Sequence, residues 1–203
     1  YGRGSMAPLL FTQLMYELAH AALADEMGEV QFKNLSKTFA LDTALPRLVA
    51  DAHAPWWDNI HTKAVENRFE TVRTAWVNTI KHLESMYGQD LLRWTWGNAH
   101  SLSHGHPLGL QKPLDHLFNV GPFKVPGGRE TPNNLNYQMG PGPWAVKSGP
   151  STRRVIDFAH PDKAVGISPV GQSGVLLDAH YADPAARFAE GLYVPPHPSA
   201  ADA

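Results

Sequence analysis

Glycine and proline are spread unevenly along these 203 residues, and that unevenness limits the fold more than any single motif. The chain holds seventeen of each. Few fall in the first ninety residues, and the remainder is dense with both. Glycine in a helix interior costs backbone entropy, and proline removes a donor and clashes with the preceding turn, so neither suits a long helix. The distribution predicts an α+β chain, with a mainly helical segment over residues 1–90 and a strand- and loop-rich segment over 91–203 that ends in a short helix. At this length a substantial core can be buried.

Composition narrows the function classes. A hydrophobic fraction of 43% and a charged fraction of 18% fit a soluble globular protein. A net charge of −2 gives no electrostatic reason to expect nucleic acid or an anionic membrane as partner. No apolar run approaches the ~20 residues needed to cross a bilayer. The absence of cysteine excludes disulfides and thiolate metal sites, and it fits a periplasmic or secreted location without deciding for one. The first residue is Tyr1 rather than methionine, which leaves open a tag remnant, a proteolytic end or a piece of a longer chain.

Along the chain, Leu10, Leu14 and Leu18 recur at helical spacing, with Phe11 and Met15 beside them, so residues 8–27 read as an amphipathic helix. Pro8 suits its first turn and Gly28 its end. Residues 29–41 read as a connection with a short strand or turn. Asp42 is placed to cap a short helix through Ala52, with Pro46 in its first turn. Ala54–Asp58 reads as a break. A long helix follows from about Thr62 to Tyr87, with an apolar stripe of Val65, Phe69, Val72, Trp76, Ile80 and Leu83. Beyond Asp90, a strand is expected through about Leu102, a helical turn over Leu114–Asn119 and a loop over Gly121–Asn134. Strands are expected over Arg153–Phe158 and Val165–Ser168, and a last helix after Asp183-Pro184. The tail from Pro195 reads as frayed.

Four constellations invite a chemical reading. His100, His104 and His106, with Asp115 and His116 close by, have metal-ligand residue types. Their helix-type and strand-type spacings cannot both hold over seven residues, and Gly105 and Pro107 favour a bend; structural or exposed histidines are the better reading. Gly171-Gln172-Ser173-Gly174 resembles a nucleophile elbow, but Val175 replaces its last glycine, so a glycine-bounded turn joining two strands is preferred. Ser151, Ser173, His180, Asp157 and Asp183 supply the parts of a Ser-His-Asp set, as chance does in a chain this rich in them. Trp56, Trp57, Trp94, Trp96 and Trp144 could line an acyl or aryl pocket, and more often such residues anchor a core.

A broader pattern is more specific than any of these. Trp94-Thr95-Trp96-Gly97, Asn98-Ala99-His100, His106-Pro107-Leu108, Leu114–Pro122, Gly127-Gly128 and Thr131-Pro132-Asn133 occur in order. They are followed by Ser148–Arg153, Gly171–Gly174, His180-Tyr181 and Gly191-Leu192-Tyr193. Together with Arg3-Gly4-Ser5 ahead of the first helix, this series resembles the C-terminal part of the β chain of the penicillin amidase family of N-terminal-nucleophile hydrolases. That family includes penicillin, cephalosporin and acyl-homoserine lactone acylases. The chain departs from the family pattern at Asp178–Pro184 and at Phe188.

The resemblance implies an N-acyl amide hydrolase made as one precursor and cut into α and β chains. The β chain's leading serine attacks the amide carbonyl, with its own α-amine as base. That serine, the oxyanion-hole asparagine and the calcium ligands belong to segments the family places before the region matched here. Tyr1 has no aliphatic hydroxyl. The resemblance therefore implies no catalytic residue and no metal ligand in this chain, and it leaves the substrate-binding residues unknown. Any calcium would lie elsewhere in the assembly. The implied partners are the α chain and the N-terminal part of the β chain, with a small N-acyl substrate and neither nucleic acid nor membrane. Strands from Trp94 onward would complete an αββα sandwich, with the helices of the first ninety residues packed outside it. The alternatives are a stand-alone binding or structural domain without activity, and a metal-dependent hydrolase using the histidine cluster.

Overall fold

In the computed structural model, residues 1–195 are described, so most of the tail expected to fray lies outside the described residues. The chain divides into two compact units: Tyr1–Ala99 with Gln138–Trp144, and His100–Tyr137 with the described residues from Ala145 on.

The first unit is helical. Helix α1 spans Ala7–Met27 and stops at Gly28, whose φ of 75° is readily open only to glycine and whose N–H reaches Ala24 O at 2.8 Å. Residues 29–35, expected as a connection, form a further helix, α2 (Glu29–Leu35). Its seven residues are too few to show a period, and Phe32 alone is buried from it. Helix α3 spans Ala40–Ala50, starting earlier than Asp42, so Pro46 lies inside it rather than in the first turn. Pro46 and Asp42 are both exposed, so water can take the carbonyl that Pro46 leaves without a donor. A 3-10 turn over Pro55–Trp57 makes the expected break.

Helix α4 spans Arg68–Tyr87, several residues shorter than its periodicity suggested. Asn67 caps it: its side chain accepts from Phe69 N and Glu70 N while Glu70 returns to the Asn67 N–H, a reciprocal capping box. The buried face also differs from the expected stripe. Thr71, Ala75, Thr79 and Leu83 turn inward, while Phe69 and Trp76 are exposed. Helix α4 packs chiefly on α1, where Ala19 and Ala22 are fully buried. Small residues on both helices bring the backbones close, and that contact sets the rotation of α4. The unit's core joins Leu18, Leu23, Phe32, Leu41, Leu45 and Trp57 to this seam.

Residues 91–99, expected to lead into a strand, instead make a 3-10 turn (Leu91–Arg93) and a short helix α5 (Trp96–Ala99). The chain entry is tied to it: Trp96 N donates to Ser5 O and Gly97 N to Arg3 O, both at 2.8 Å.

The second unit carries the strands. Antiparallel pairs join β1 (Ser101–His104) to β2 (Val120–Lys124), β3 (Asn136–Tyr137) to β4 (Val146–Ser148), and β5 (Arg153–Val155) to β6 (Val165–Ile167). The described strands form three separate two-stranded ladders. β2 occupies the start of the stretch expected as loop, and β5 stops short of Phe158, which is 90% exposed. Helix α6 (Asp115–Phe118) is the expected turn. Helix α7 (Ala185–Glu190) starts one residue after Pro184 and packs against β2. Leu102, Val125, Leu135, Ile167, Phe188 and Ala189 form this unit's core. Among the described residues no helix is long and apolar enough to cross a membrane.

Candidate functional site

The three histidines near β1 do not meet. His100 is fully buried with its ring edge-on to Tyr137, centroids 5.5 Å apart. His104, two pleats along, lies edge-on to Phe188 at 5.8 Å, and burial holds its pKa below the ordinary imidazole value. Its Nε2 is buried without a hydrogen-bond partner among the described residues, which suits a neutral ring. His106 faces elsewhere again: its Nδ1 accepts from Leu108 N at 3.1 Å, starting a 3-10 turn, and its ring stacks on Phe118. His116 and Asp115 lie 3.9 Å apart, with His116 largely exposed. Among the described residues, no three His, Asp or Glu side chains gather as a metal ion would need.

Gly171–Gly174 leaves β6 but enters no second strand. It folds back on the segment containing His180: Gly171 N donates to Tyr181 O and Ser173 N to His180 O, both at 3.1 Å. A Cβ on Gly171 would overlap the His180 carbonyl oxygen, so close backbone approach explains the glycine. Within this loop His180 Nδ1 and Asp183 Oδ2 stand 3.2 Å apart, the histidine–acid half of a triad. Ser173 Oγ instead accepts from Val175 N at 3.1 Å, and both His180 and Asp183 are exposed. A serine used as a turn acceptor beside an open imidazole is not an activated nucleophile. Asp157 likewise serves its own turn, accepting from Ala159 N at 2.9 Å, and Ser151 is exposed.

The tryptophans anchor the first unit's interior. Trp57 Nε1 donates to Asp51 O, Trp94 Nε1 to Gly88 O and Trp144 Nε1 to Gly140 O, so each of these polar tips is satisfied. Trp96 stacks on Trp144 at 5.6 Å and meets Tyr1 edge-on. Trp56 is exposed and lines an apolar groove of about 500 Å³ with Leu23, Met27, Leu45 and Leu48.

Sequence reasoning passed over a cavity of about 580 Å³ in the first unit, lined in part by His20, Asp25, Glu29, Trp57, His61 and Glu66. His20 Nε2 stands 2.9 Å from Glu29 Oε1. Glu66 Oε1 accepts from Thr62 Oγ1, and Asp25 Oδ2 accepts from Ile60 N. Glu26, next to Asp25, has its pKa pushed up to about 7: desolvation comes first, then the neighbouring Asp25 carboxyl, with the negative charge of Asp58 adding. The visible signal was the Asp25-Glu26 pair at the C-terminal end of α1, where the helix dipole disfavours negative charge. This cavity offers acceptors and imidazoles, and its hydroxyl at Thr62 is already committed to Glu66.

Arg153, in the second unit, is buried with its guanidinium 3.9 Å over the Phe188 ring and its Nη1 donating to Phe188 O at 2.7 Å. It ties β5 to α7, a structural use of the cation.

Comparison with known proteins adds what the geometry does not. The model of the family described as penicillin amidase matches residues 1–202. An acyl-homoserine lactone acylase QuiP from Pseudomonas fluorescens strain Pf-5 is 25% identical over 189 residues, covering 89% of this chain and 22% of the relative. A protein of the same name from Pseudomonas fluorescens strain Pf0-1 is 24% identical over 147 residues, covering 72% of this chain and 17% of the relative. The chain thus spans about a fifth of the length of the curated relatives it matches.

Proposed function

The chain belongs to the penicillin amidase family, and from that membership we propose that it is the C-terminal part of the β chain of an N-acyl amide hydrolase. The observation that carries the reading is a pair of coverages: the family match runs over residues 1–202, yet the matched relatives are several times longer. The substrates on this reading are acyl-homoserine lactones or the side-chain amides of β-lactams, and the relatives' name favours the former.

The chemistry is divided between chains. A leading serine on a companion segment attacks the amide carbonyl. Its free α-amine, with a pKa near ~8, is available in part as base at neutral pH. Preorganised donors then stabilise the oxyanion. None of these groups is placed on this chain. The dispersal of its histidines and the commitment of Ser173 to a turn support a scaffolding role. On this reading its ladders extend larger sheets of an αββα sandwich, the assembly is periplasmic or secreted, and any calcium sits outside this chain.

The test begins with a mass spectrum of the denatured, purified protein, followed by a panel of penicillin G, penicillin V, glutaryl-cephalosporin and acyl-homoserine lactones of varied length. Companion chains, one beginning with serine, and release of a free acyl acid are expected. A single species of 22.3 kDa without companions would favour a stand-alone binding or structural domain. Activity from that species alone would overturn the division of labour.

A further inference from the structure

The apolar stripe of α4 is covered only in part: Val72 packs against the first unit's core, while the rings of Phe69 and Trp76 stay open to water. Phe69, Val72, Trp76 and Ile80 follow one another at spacings of three, four and four residues along one side of the helix. The face turned toward the core, Thr71, Ala75 and Thr79, lies roughly a quarter turn away around the axis. Phe69 is 74% exposed and Trp76 45%, while Val72 and Ile80 are half-buried. Two large rings in line on a helix surface are costly to leave in water and form the kind of anchor that binding energy concentrates on.

We propose that this stripe is the seat of an apolar helix from a companion chain of the same precursor. The proposal rests on the reading of the chain as one part of a divided acylase. Two observations select the occupant. Spacings of three and four residues form a seam that a second helix fits along its length, as in helix-in-groove recognition. The matched relatives carry about four-fifths of their length outside the region aligned here, which is ample to supply that helix.

The experiment uses the whole precursor, expressed and processed, with a benzophenone-bearing amino acid at position 69 and, separately, at position 81. Lys81 is exposed on the other side of α4. Photolysis should join position 69, and not position 81, to a companion chain, with the adduct mapping to an apolar helical segment. In parallel, the Phe69→Asp, Trp76→Asp double variant should weaken retention of the companions by ~30-fold or more, and Lys81→Asp should leave it unchanged. Both replaced rings are exposed, so the 203-residue chain should keep its circular dichroism spectrum. Adducts between two copies of this chain, equal adducts at both positions, or unchanged retention in the double variant would overturn the assignment to α4 while leaving the divided acylase standing. Purified material with no companion chains would remove both.

Discussion

Asp25 and Glu26 are neighbours at the end of α1 whose carboxyls shift in opposite directions, Asp25 down and Glu26 up. Hydrogen bonds from Glu26 and the Ile60 N–H outweigh desolvation and hold Asp25 below its ordinary value, while Glu26 is raised to about 7 from 4.5. A raised folded-state pKa means that the folded chain holds the Glu26 proton more tightly than the unfolded one. Its contribution is complete below about pH 4.5 and drains away as pH rises through about 7. Glu26→Gln should therefore flatten the loss of stability across that window and leave the variant more stable at pH 8. Solvent screening at this exposed site limits the gain to about 1 kcal/mol or less. Urea unfolding of both proteins at pH 5 and pH 8 measures it, and an equal loss of stability in the two would refute the raised Glu26 value. At this scale the sequence exposes residue types and hides their partners. His100, His104 and His106 are close in the chain, yet Tyr137, Phe188 and Phe118 claim their rings separately. Those partners lie far off in sequence, so no local spacing could reveal them.

Among the elements, α4 shows what periodicity reveals and what it misses. The repeat of apolar residues located the helix and its end at Gly88. It placed the start too early because Val65 continues the spacing, although the Asn67-to-Glu70 capping pattern was present to mark the boundary. It marked the buried face only in part, since Val72 and Leu83 reach the interior while Phe69 and Trp76 do not, because a stripe says nothing about which partner covers it. The close seam with α1 uses Ala75 and Thr79, which no hydrophobicity pattern highlights. The cap makes a measurable claim: Asn67→Ala should cost ~1 kcal/mol, and Asn67→Gly only a few tenths. For a chain of this size that corresponds to a drop in Tm of about 2–4 °C for the alanine variant. Thermal unfolding followed at 222 nm decides it, and an alanine variant as stable as the parent would mean that the capping box contributes nothing. Short elements were harder to read for a different reason. α2 is too brief to show a period, and β5 looked longer because Ile156 and Phe158 continue an alternation after pairing has stopped.

For the whole chain, glycine and proline act on the backbone irrespective of context, and among the described residues every helix longer than six residues ends by Tyr87 while the named strands begin at Ser101. Layered sheets were not legible in the same way, since sheet assembly depends on strands distant in sequence. The described strands form two-stranded ladders, with a further bridge from Gly166 of β6 to Val194, and a ladder this small is marginal by itself and leaves edge groups unpaired. The second unit's core is correspondingly small. If companion chains complete these ladders and cover the stripe on α4, their binding to the folded state alone must raise its stability by mass action. With companions present at about a thousand times their dissociation constant, the gain is ~4 kcal/mol. For a chain of this length that is an increase in Tm of about 8 °C or more. Differential scanning calorimetry of the assembled protein, set against the 203-residue chain after the companions are stripped away, measures the difference. A stripped chain that melts at the same temperature, with the same cooperativity, would mean that its edges and apolar faces require nothing from a partner, and the scaffold reading would fall with that result.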